Sequence, residues 1–250
     1  MRRNRAQRVT VVFLLVGLFA LAVAGALGAL FRDPPVKTAT TTTTSAPTTT
    51  LPPVSNLGDV GRQLGTLVEE GRHVDYAAVY SVTDPALPAG LAQTVEMWRK
   101  GKDFRQDIVE RTGASTTRHT LILGTTPRSC DTVNGLQTCT LIGAHEVLDD
   151  LPGAFIRRIV LAAHPPRLSV KSAAVAGYQA TCFDADGENL GKPTTDGKPT
   201  NGSGELCLNG DGTLLRLVLQ GATIELSTIT SVVPASAFDT TAPVSTTAAP

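Results

Sequence analysis

Aromatic residues and clustered positive charge are scarce in this sequence. Phenylalanine, tryptophan and tyrosine make up 4% of the 250 residues, and the 22 lysines and arginines are balanced by 22 aspartates and glutamates. Proteins that hold single-stranded nucleic acid stack its bases on aromatic side chains, and proteins that hold duplexes present a basic patch or stripe. The sequence has neither feature, so nucleic acid is not an expected partner.

Catalytic motifs are absent as well. The four histidines do not form an H-E-x-x-H motif, and no phosphate-binding glycine loop follows a strand pattern. No G-x-S-x-G nucleophile motif occurs, and Gly202-Ser203-Gly204 has the composition of a flexible loop. The sequence therefore predicts a protein that is not an enzyme and that needs no cofactor.

Two acidic stretches are the nearest approach to a metal site. The segment GAHEVLDD gathers His145, Glu146, Asp149 and Asp150 within six residues, and a polar loop that ends in a helix N-cap explains it as well as a metal does. The stretch DADGEN at 184–189 begins like a calcium-binding loop but lacks the full spacing and the closing glutamate. Asp-Gly and Asn-Gly turns account for it, so we predict no metal site.

Two of the four cysteines are placed symmetrically about an Asn-Gly pair. Asn134-Gly135 between extended segments predicts a two-residue β-hairpin with a type I′ turn. Counting outward puts Cys130 opposite Cys139 at a non-hydrogen-bonded pair, where Cα atoms approach to about 4.5 Å, a separation that a disulfide can bridge. A metal site and a pair of free thiols are the alternatives, although the chain has no C-x-x-C motif of the kind that holds zinc.

The other two cysteines flank a long polar stretch. Cys182 ends one apolar segment, Cys207 begins another, and the residues between them are rich in glycine, aspartate and proline. This pattern predicts a hairpin loop closed at its base, which would stabilise the fold by about 3 kcal/mol in the chain-entropy model. Four cysteines allow three pairings, and hairpin geometry favours Cys130–Cys139 with Cys182–Cys207. Two such bridges indicate an oxidising compartment.

The N-terminus has the pattern of a membrane anchor. Residues 1–8 carry four arginines and no acid, and residues 9–31 contain no charge over 23 positions. A helix of that length measures about 34 Å, enough to span a bilayer core of about 30 Å. The arginines would stay in the cytoplasm and the rest would be exported. A cleaved signal peptide, with Ala22-Val23-Ala24 as its cleavage site, is the alternative, although the apolar run exceeds that of an ordinary signal sequence.

Composition divides the remaining chain into three parts. Residues 32–54 are almost all threonine, proline and alanine and predict a disordered stalk, which at about 3.1 Å per residue reaches up to about 60 Å from the membrane. Residues 240–250 form a similar disordered tail. Between them, residues 55–239 have a length that suits one domain with a single core.

That domain has helical and strand patterns in a definite order. Apolar residues recur at helical spacing in residues 57–71 and again in residues 148–166. After each helical pattern, alternation with a period of two predicts several short strands joined by tight turns. The order of helix, strands, helix, strands predicts an α+β domain with one long antiparallel sheet packed on an N-terminal and a central helix.

The element order and the phrases VAGYQATCF and ELCLNGDGTLLRL resemble the periplasmic lipoprotein-carrier superfamily. The closest resemblance is to the half-barrel lipid-carrying lipoproteins of the mycobacterial envelope. In that family a strongly curved antiparallel sheet wraps around helices and leaves an apolar cavity. Those lipoproteins carry a lipidated N-terminal cysteine, whereas no cysteine precedes Cys130 here.

The resemblance implies that the exported domain binds a lipid or another hydrophobic ligand under its sheet. Seven residues on three predicted strands are candidates to line the cavity: Tyr76, Ala78, Tyr80, Val95, Met97, Phe104 and Ile108. The alternative for these side chains is a dry core against the helices. The alternative for the whole protein is a tethered module that binds a partner protein in an envelope assembly and holds no ligand. With either function, the N-terminal pattern predicts a single-pass cell-membrane protein whose N-terminus is cytoplasmic and whose domain is extracytoplasmic.

Overall fold

The computed structural model describes residues 57–124, 127–142, 149–162, 164–195, 197–239 and 244–245, all of which belong to the compact unit Ser45–Pro250. The predicted arginine-rich tail, anchor and stalk lie outside the described residues, as do His145 and Glu146. Within the described ranges, no helix combines the length and apolar character needed to cross a membrane.

The described part of the chain contains two α-helices, one short 3-10 helix and twelve strands. The helices are α1 (Gly58–Gly71), α2 (Leu151–Val160) and the 3-10 helix η1 (Ala235–Phe238). The strands are β1 (Tyr76–Thr83), β2 (Leu91–Lys100), β3 (Asp103–Thr112), β4 (Ser115–Leu123), β5 (Arg128–Val133), β6 (Leu136–Leu141), β7 (Arg167–Val175), β8 (Tyr178–Gly187), β9 (Gly202–Leu208), β10 (Leu214–Leu219), β11 (Ala222–Thr230) and β12 (Val244–Ser245).

All of these strands form one curved sheet in the order β12-β6-β5-β4-β3-β2-β1-β11-β10-β9-β8-β7. Eleven of them pair antiparallel, nearly always with the next strand along the chain, while the two-residue β12 lies parallel to β6. The exception to sequence order is β1, which pairs with β11 and so joins the meander β1–β6 to the meander β7–β11. The predicted α+β domain with one long antiparallel sheet and two helices is confirmed.

The predicted cysteine hairpin forms with the predicted register. Asn134 and Gly135 have φ angles of 50° and 85°, as a type I′ turn requires. Val133 then faces Leu136, and Cys130 faces Cys139 at a Cα separation of 4.0 Å. Asn is tolerated and Gly is favoured at positive φ, so these two residues fix both the turn and the pairing that follows from it.

Helix α2 begins where the sequence places acidic residues. The Asp150 carboxylate accepts a hydrogen bond of 3.0 Å from the backbone N–H of Gly153, and Pro152 occupies the first turn. The first six residues of the helix and Ile159 are buried, and Phe155, Ile156 and Ile159 are its largest fully buried side chains. The helix ends at Val160, before Pro165-Pro166.

Alternation along the strands gives the sheet two faces of different chemistry. The helix face carries Tyr80, Phe183 and Leu206, and the ring of Phe155 on α2 lies against it at Gly204. The disulfide face carries all four cysteines, which form the predicted bonds Cys130–Cys139 and Cys182–Cys207. Most of the core therefore lies between the helix face and the two helices, while Val109 and Ile122 are buried on the opposite face.

Candidate functional site

The seven predicted cavity residues come together on the helix face. They lie on the adjacent strands β1, β2 and β3, where Ala78 faces Met97, Tyr80 faces Val95, and Val95 in turn faces Ile108. All seven are buried, and none is more than 9% exposed. They form one contiguous surface, which we call the apolar patch and define as Tyr76, Ala78, Tyr80, Val95, Met97, Phe104 and Ile108.

The two tyrosines of the apolar patch have polar partners within the protein. The Tyr80 hydroxyl donates a hydrogen bond of 3.1 Å to the backbone carbonyl of Leu214 on β10. Tyr76 stands opposite Arg99 in the β1–β2 register. Burial raises the pKa of both phenols, most strongly for Tyr80, while the nearby Arg99 guanidinium lowers it. Both rings therefore stay neutral and hold the fold together, whatever else the patch binds.

A buried ion-pair cluster borders the apolar patch. Arg99 Nη2 lies 2.6 Å from Asp150 Oδ2, and Arg72 Nη2 lies 3.6 Å from Asp150 Oδ1. The Arg99 guanidinium also lies over the Phe104 ring, 4.6 Å from its centroid. This cluster connects the end of α1, the start of α2 and strand β2. The two aspartates of GAHEVLDD thus meet arginines, since Asp149 pairs with Arg157.

Two glutamines interrupt the apolar chemistry of the same face, and the sequence patterns did not reveal them. Gln93 of β2 is buried, and its Nε2 donates to Glu110 Oε1 at 2.9 Å. Gln106 of β3 stands between Met97 and Leu121. Its Oε1 is buried without a hydrogen-bond partner in the described residues. The period-two pattern marks which residues share a face, but only the register shows which of them have partners.

The main backbone contacts of the helices lie on strands beyond β11, while the end of α1 and the first turn of α2 also reach β2 beside the patch through Arg72, Asp150 and Arg99. Helix α1 packs against β7, and helix α2 packs against β10. A methyl group at Gly71 of α1 would collide with the backbone of Gly212 in the β9–β10 turn, so helix and turn touch directly. The patch on β1–β3 lies across β11 from these contacts.

On strands β7–β11 the disulfide face carries cross-strand ion pairs. Lys171 Nζ lies 2.9 Å from both Asp184 Oδ2 and Glu205 Oε2, and Arg216 lies 2.8 Å from Glu205 and 3.7 Å from Glu225. Partial burial raises the pKa of Glu205, but Lys171 and Arg216 outweigh it and the net shift is downward. These ion pairs join β7, β8, β9, β10 and β11 across the sheet.

The Glu205 carboxylate also lies near the second disulfide. The sulfurs of Cys182 and Cys207 lie close to the Glu205 carboxylate, a grouping that resembles a metal site. Both sulfurs belong to a disulfide, however, and metals bind cysteine as the thiolate. The grouping therefore offers one carboxylate and no thiolate ligand.

A second charged cluster lies on the disulfide face of β3. The Asp107 carboxylate is fully buried and accepts two hydrogen bonds from Arg105, at 2.8 and 2.7 Å, and another from Arg118. Arg105 Nη1 donates to the Ala237 carbonyl at 2.8 Å, and Arg118 bonds Glu96 at 3.0 Å. The cluster attaches the C-terminal helix η1 to the sheet, so its role is structural.

Comparisons with known proteins do not assign a family. No protein-family model and no curated protein matches the chain. The solved structures of MucB in complex with MucA(peri) and of MucB alone are similar at 18% and 16% identity, with TM-scores of 0.29 and 0.28. The matches cover 70% and 72% of this chain but 56% and 61% of those chains, less than two thirds of their length. Such scores do not establish a shared fold, so the resemblance to the lipoprotein-carrier superfamily stays a prediction.

Proposed function

We propose that this domain binds a lipid or another hydrophobic molecule at the apolar patch, outside the cytoplasm, while residues 9–31 hold it to the membrane. The observation that carries the proposal is the patch itself, seven apolar or aromatic side chains side by side on three strands. The two disulfides support an oxidising location. The proposal includes no catalytic step.

The apolar patch is covered by protein, since none of its seven side chains is more than 9% exposed. Since the patch is buried in this structure, a ligand reaches it only when its cover moves.

A change at Ala78 tests the proposal against a dry core. Ala78 is small and sits in the middle of the patch, opposite Met97. If a ligand normally fills space beside it, Ala78→Leu keeps the stability of the ligand-free protein and abolishes ligand binding. If the patch is a filled core, the same change destabilises the fold by about 1–3 kcal/mol through overpacking. Urea unfolding measures the change in stability.

Native mass spectrometry measures the binding of the ligand. The unit Ser45–Pro250, secreted through an oxidising compartment and incubated with envelope lipid extract, should carry non-covalent adducts in the lipid mass range. Ala77→Leu is the matched control, because Ala77 precedes Ala78 and faces the opposite side of the sheet. A clean apo mass for the unchanged protein would contradict ligand binding.

The second candidate function is a tethered module that binds a partner protein. The observation in its favour is strand β7, a regular nine-residue strand that pairs with β8 on one side and with no other strand that the structure describes. Such an edge is able to accept an extended segment of another chain. Ser172→Pro would block the addition of a strand at this edge. Cross-linking in the envelope tests the effect: a partner protein that is captured by the unchanged chain and lost from the variant, with ligand binding intact, would favour this function.

A further inference from the structure

Gln106 is a polar side chain in the wall of the apolar patch. It is 2% exposed, and on its strand Phe104 and Ile108 flank it on the same face. Across the sheet it faces Met97 on one side and Leu121 on the other. Its Oε1 has no hydrogen-bond partner in the parts of the chain that the structure describes. A buried acceptor left without a donor costs about 1–3 kcal/mol, so a leucine or methionine would suit a dry core better.

Gln93 shows that the sheet is able to satisfy such a side chain. It lies on the same face as Gln106 and is similarly buried, at 5% exposure. Its cross-strand neighbour is Glu110, which accepts its amide N–H at 2.9 Å. Gln106 instead has the thioether of Met97 and the alkyl chain of Leu121 as its neighbours. None of the described residues around Gln106 supplies its partner, and the Nε of Arg99 on the same face of β2 is likewise without an acceptor among the described residues.

We propose that Gln106 is the polar anchor of the ligand site and hydrogen-bonds a hydroxyl group on an otherwise apolar chain. This inference rests on the proposed function and names the class of ligand. A hydroxyl both donates and accepts, so it pairs with the side-chain amide in either orientation. The apolar remainder of the ligand lies along Met97, Phe104 and Ile108.

A neutral hydroxyl fits this position better than an ionised group. A charge at this depth needs a counter-charge to offset its loss of water. The buried guanidinium on this face, Arg99, already binds Asp150 at 2.6 Å and lies over the Phe104 ring. The ligand class is therefore a long-chain alcohol or a hydroxylated lipid, bound through its hydroxyl.

A pair of matched probes tests the anchor in the full-length chain. One probe is a long-chain fatty alcohol with a diazirine in its chain, and the other is the methyl ether of the same alcohol, which has lost the donor. The protein is mixed with phosphatidylcholine bilayer discs, illuminated and digested with trypsin. We expect the alcohol to label the peptide Gln106–Arg111 about fivefold or more over the ether, as one hydrogen bond would give.

Two substitutions separate the anchor from a structural role. Gln106→Met removes the unmatched acceptor, so its unfolding temperature should not fall, while its labelling by the alcohol should drop to the level of the ether. Gln93→Met is the matched control, because it removes a glutamine whose partner is already present. It should lower the unfolding temperature and keep the preference for the alcohol.

The outcomes distinguish the anchor from the proposed function. Equal labelling of residues 106–111 by both probes, or a preference that survives Gln106→Met, would overturn the anchor and leave the ligand site standing. If neither probe labels any peptide from β1–β3, the proposed ligand site is wrong and the anchor fails with it. A preference lost only in Gln106→Met supports both.

Discussion

At the scale of single residues, Asp150 combines two structural roles. Its carboxylate caps the first turn of α2 through the N–H of Gly153, and it neutralises the buried guanidinium of Arg99. A carboxylate at a helix N-terminus also gains from the helix dipole. One side chain therefore sets where α2 begins and which part of the sheet it approaches.

Asp150→Asn should separate these two roles. The asparagine keeps an oxygen that caps α2, but it leaves the Arg99 charge buried without its counter-ion. Breaking a buried pair by removing one partner costs about 3–5 kcal/mol, so we expect a loss of at least about 3 kcal/mol in urea unfolding. Asp59→Asn is the control, because its pair with Arg62 is exposed, and it should leave the midpoint unchanged. Equal effects of the two changes would contradict this account of the cluster.

His119 and Asp131 form a cross-strand pair on β4 and β5, with the ring Nδ1 2.6 Å from the carboxylate. The hydrogen bond to Asp131 raises the pKa of His119 against an opposing effect of burial, and the charge of Glu110 adds to the rise. The same hydrogen bond lowers the pKa of Asp131. The pair is therefore most stable when both groups are charged.

The direction of these shifts sets a pH window. The stabilisation from His119 is fully present below its unfolded pKa of about 6.5 and is lost as pH rises through the higher folded value. The stabilisation from Asp131 is present above about 3.9 and is lost as pH falls through the lower folded value. We expect His119→Gln to reduce the difference between urea midpoints measured at pH 5.5 and pH 8.5. A difference that the substitution leaves unchanged would show that this pair does not contribute.

At the scale of elements, the contact between α1 and the β9–β10 turn depends on two glycines. Gly212 has a φ of 82°, and a methyl group there would collide with the Leu67 carbonyl of α1. Gly71 approaches the same turn from the helix side. The helix backbone therefore lies against the turn without side chains in between.

Gly212→Ala should destabilise the fold more than Gly221→Ala does. Both glycines have similar positive φ angles, 82° and 86°, so both substitutions strain the backbone alike. Nothing lies within 4 Å of a methyl group at Gly221, whereas one at Gly212 meets α1. We expect about 1–3 kcal/mol of additional loss at Gly212, measured by urea unfolding. Equal losses would show that α1 moves away without cost.

Local signals in the sequence were sufficient for several elements and failed for pairings between distant residues. Asn134-Gly135 predicted a turn and, by counting outward, the position of a disulfide. Strand alternation placed the seven patch residues on one face. The pairing of β1 with β11 has no local signal, because the partners lie far apart in the chain. The partner of Gln93 and the burial of Asp107 were missed for another reason, because they depend on strand register and on what covers each face.

At the scale of the whole molecule, one face of the sheet lies against the helices and the opposite face carries both disulfides, whose four cysteines are buried. If the domain is exported, the chain purified from its native envelope should weigh four hydrogens less than the fully reduced chain. The same domain made in a reducing cytoplasm should have the full reduced mass and a lower unfolding temperature. An envelope sample with the reduced mass would contradict export to an oxidising compartment.

The pairing of β1 with β11 has a consequence for the order of events during synthesis. Strand β1 emerges about 140 residues before its partner, which at about 5–20 residues per second is a delay of about 7–30 s. Through that interval β1–β6 can pair as a meander, but the outer edge of β1 has no partner. A nascent chain in this state exposes unpaired backbone next to Tyr80, and this edge is where a folding-assistance factor would bind.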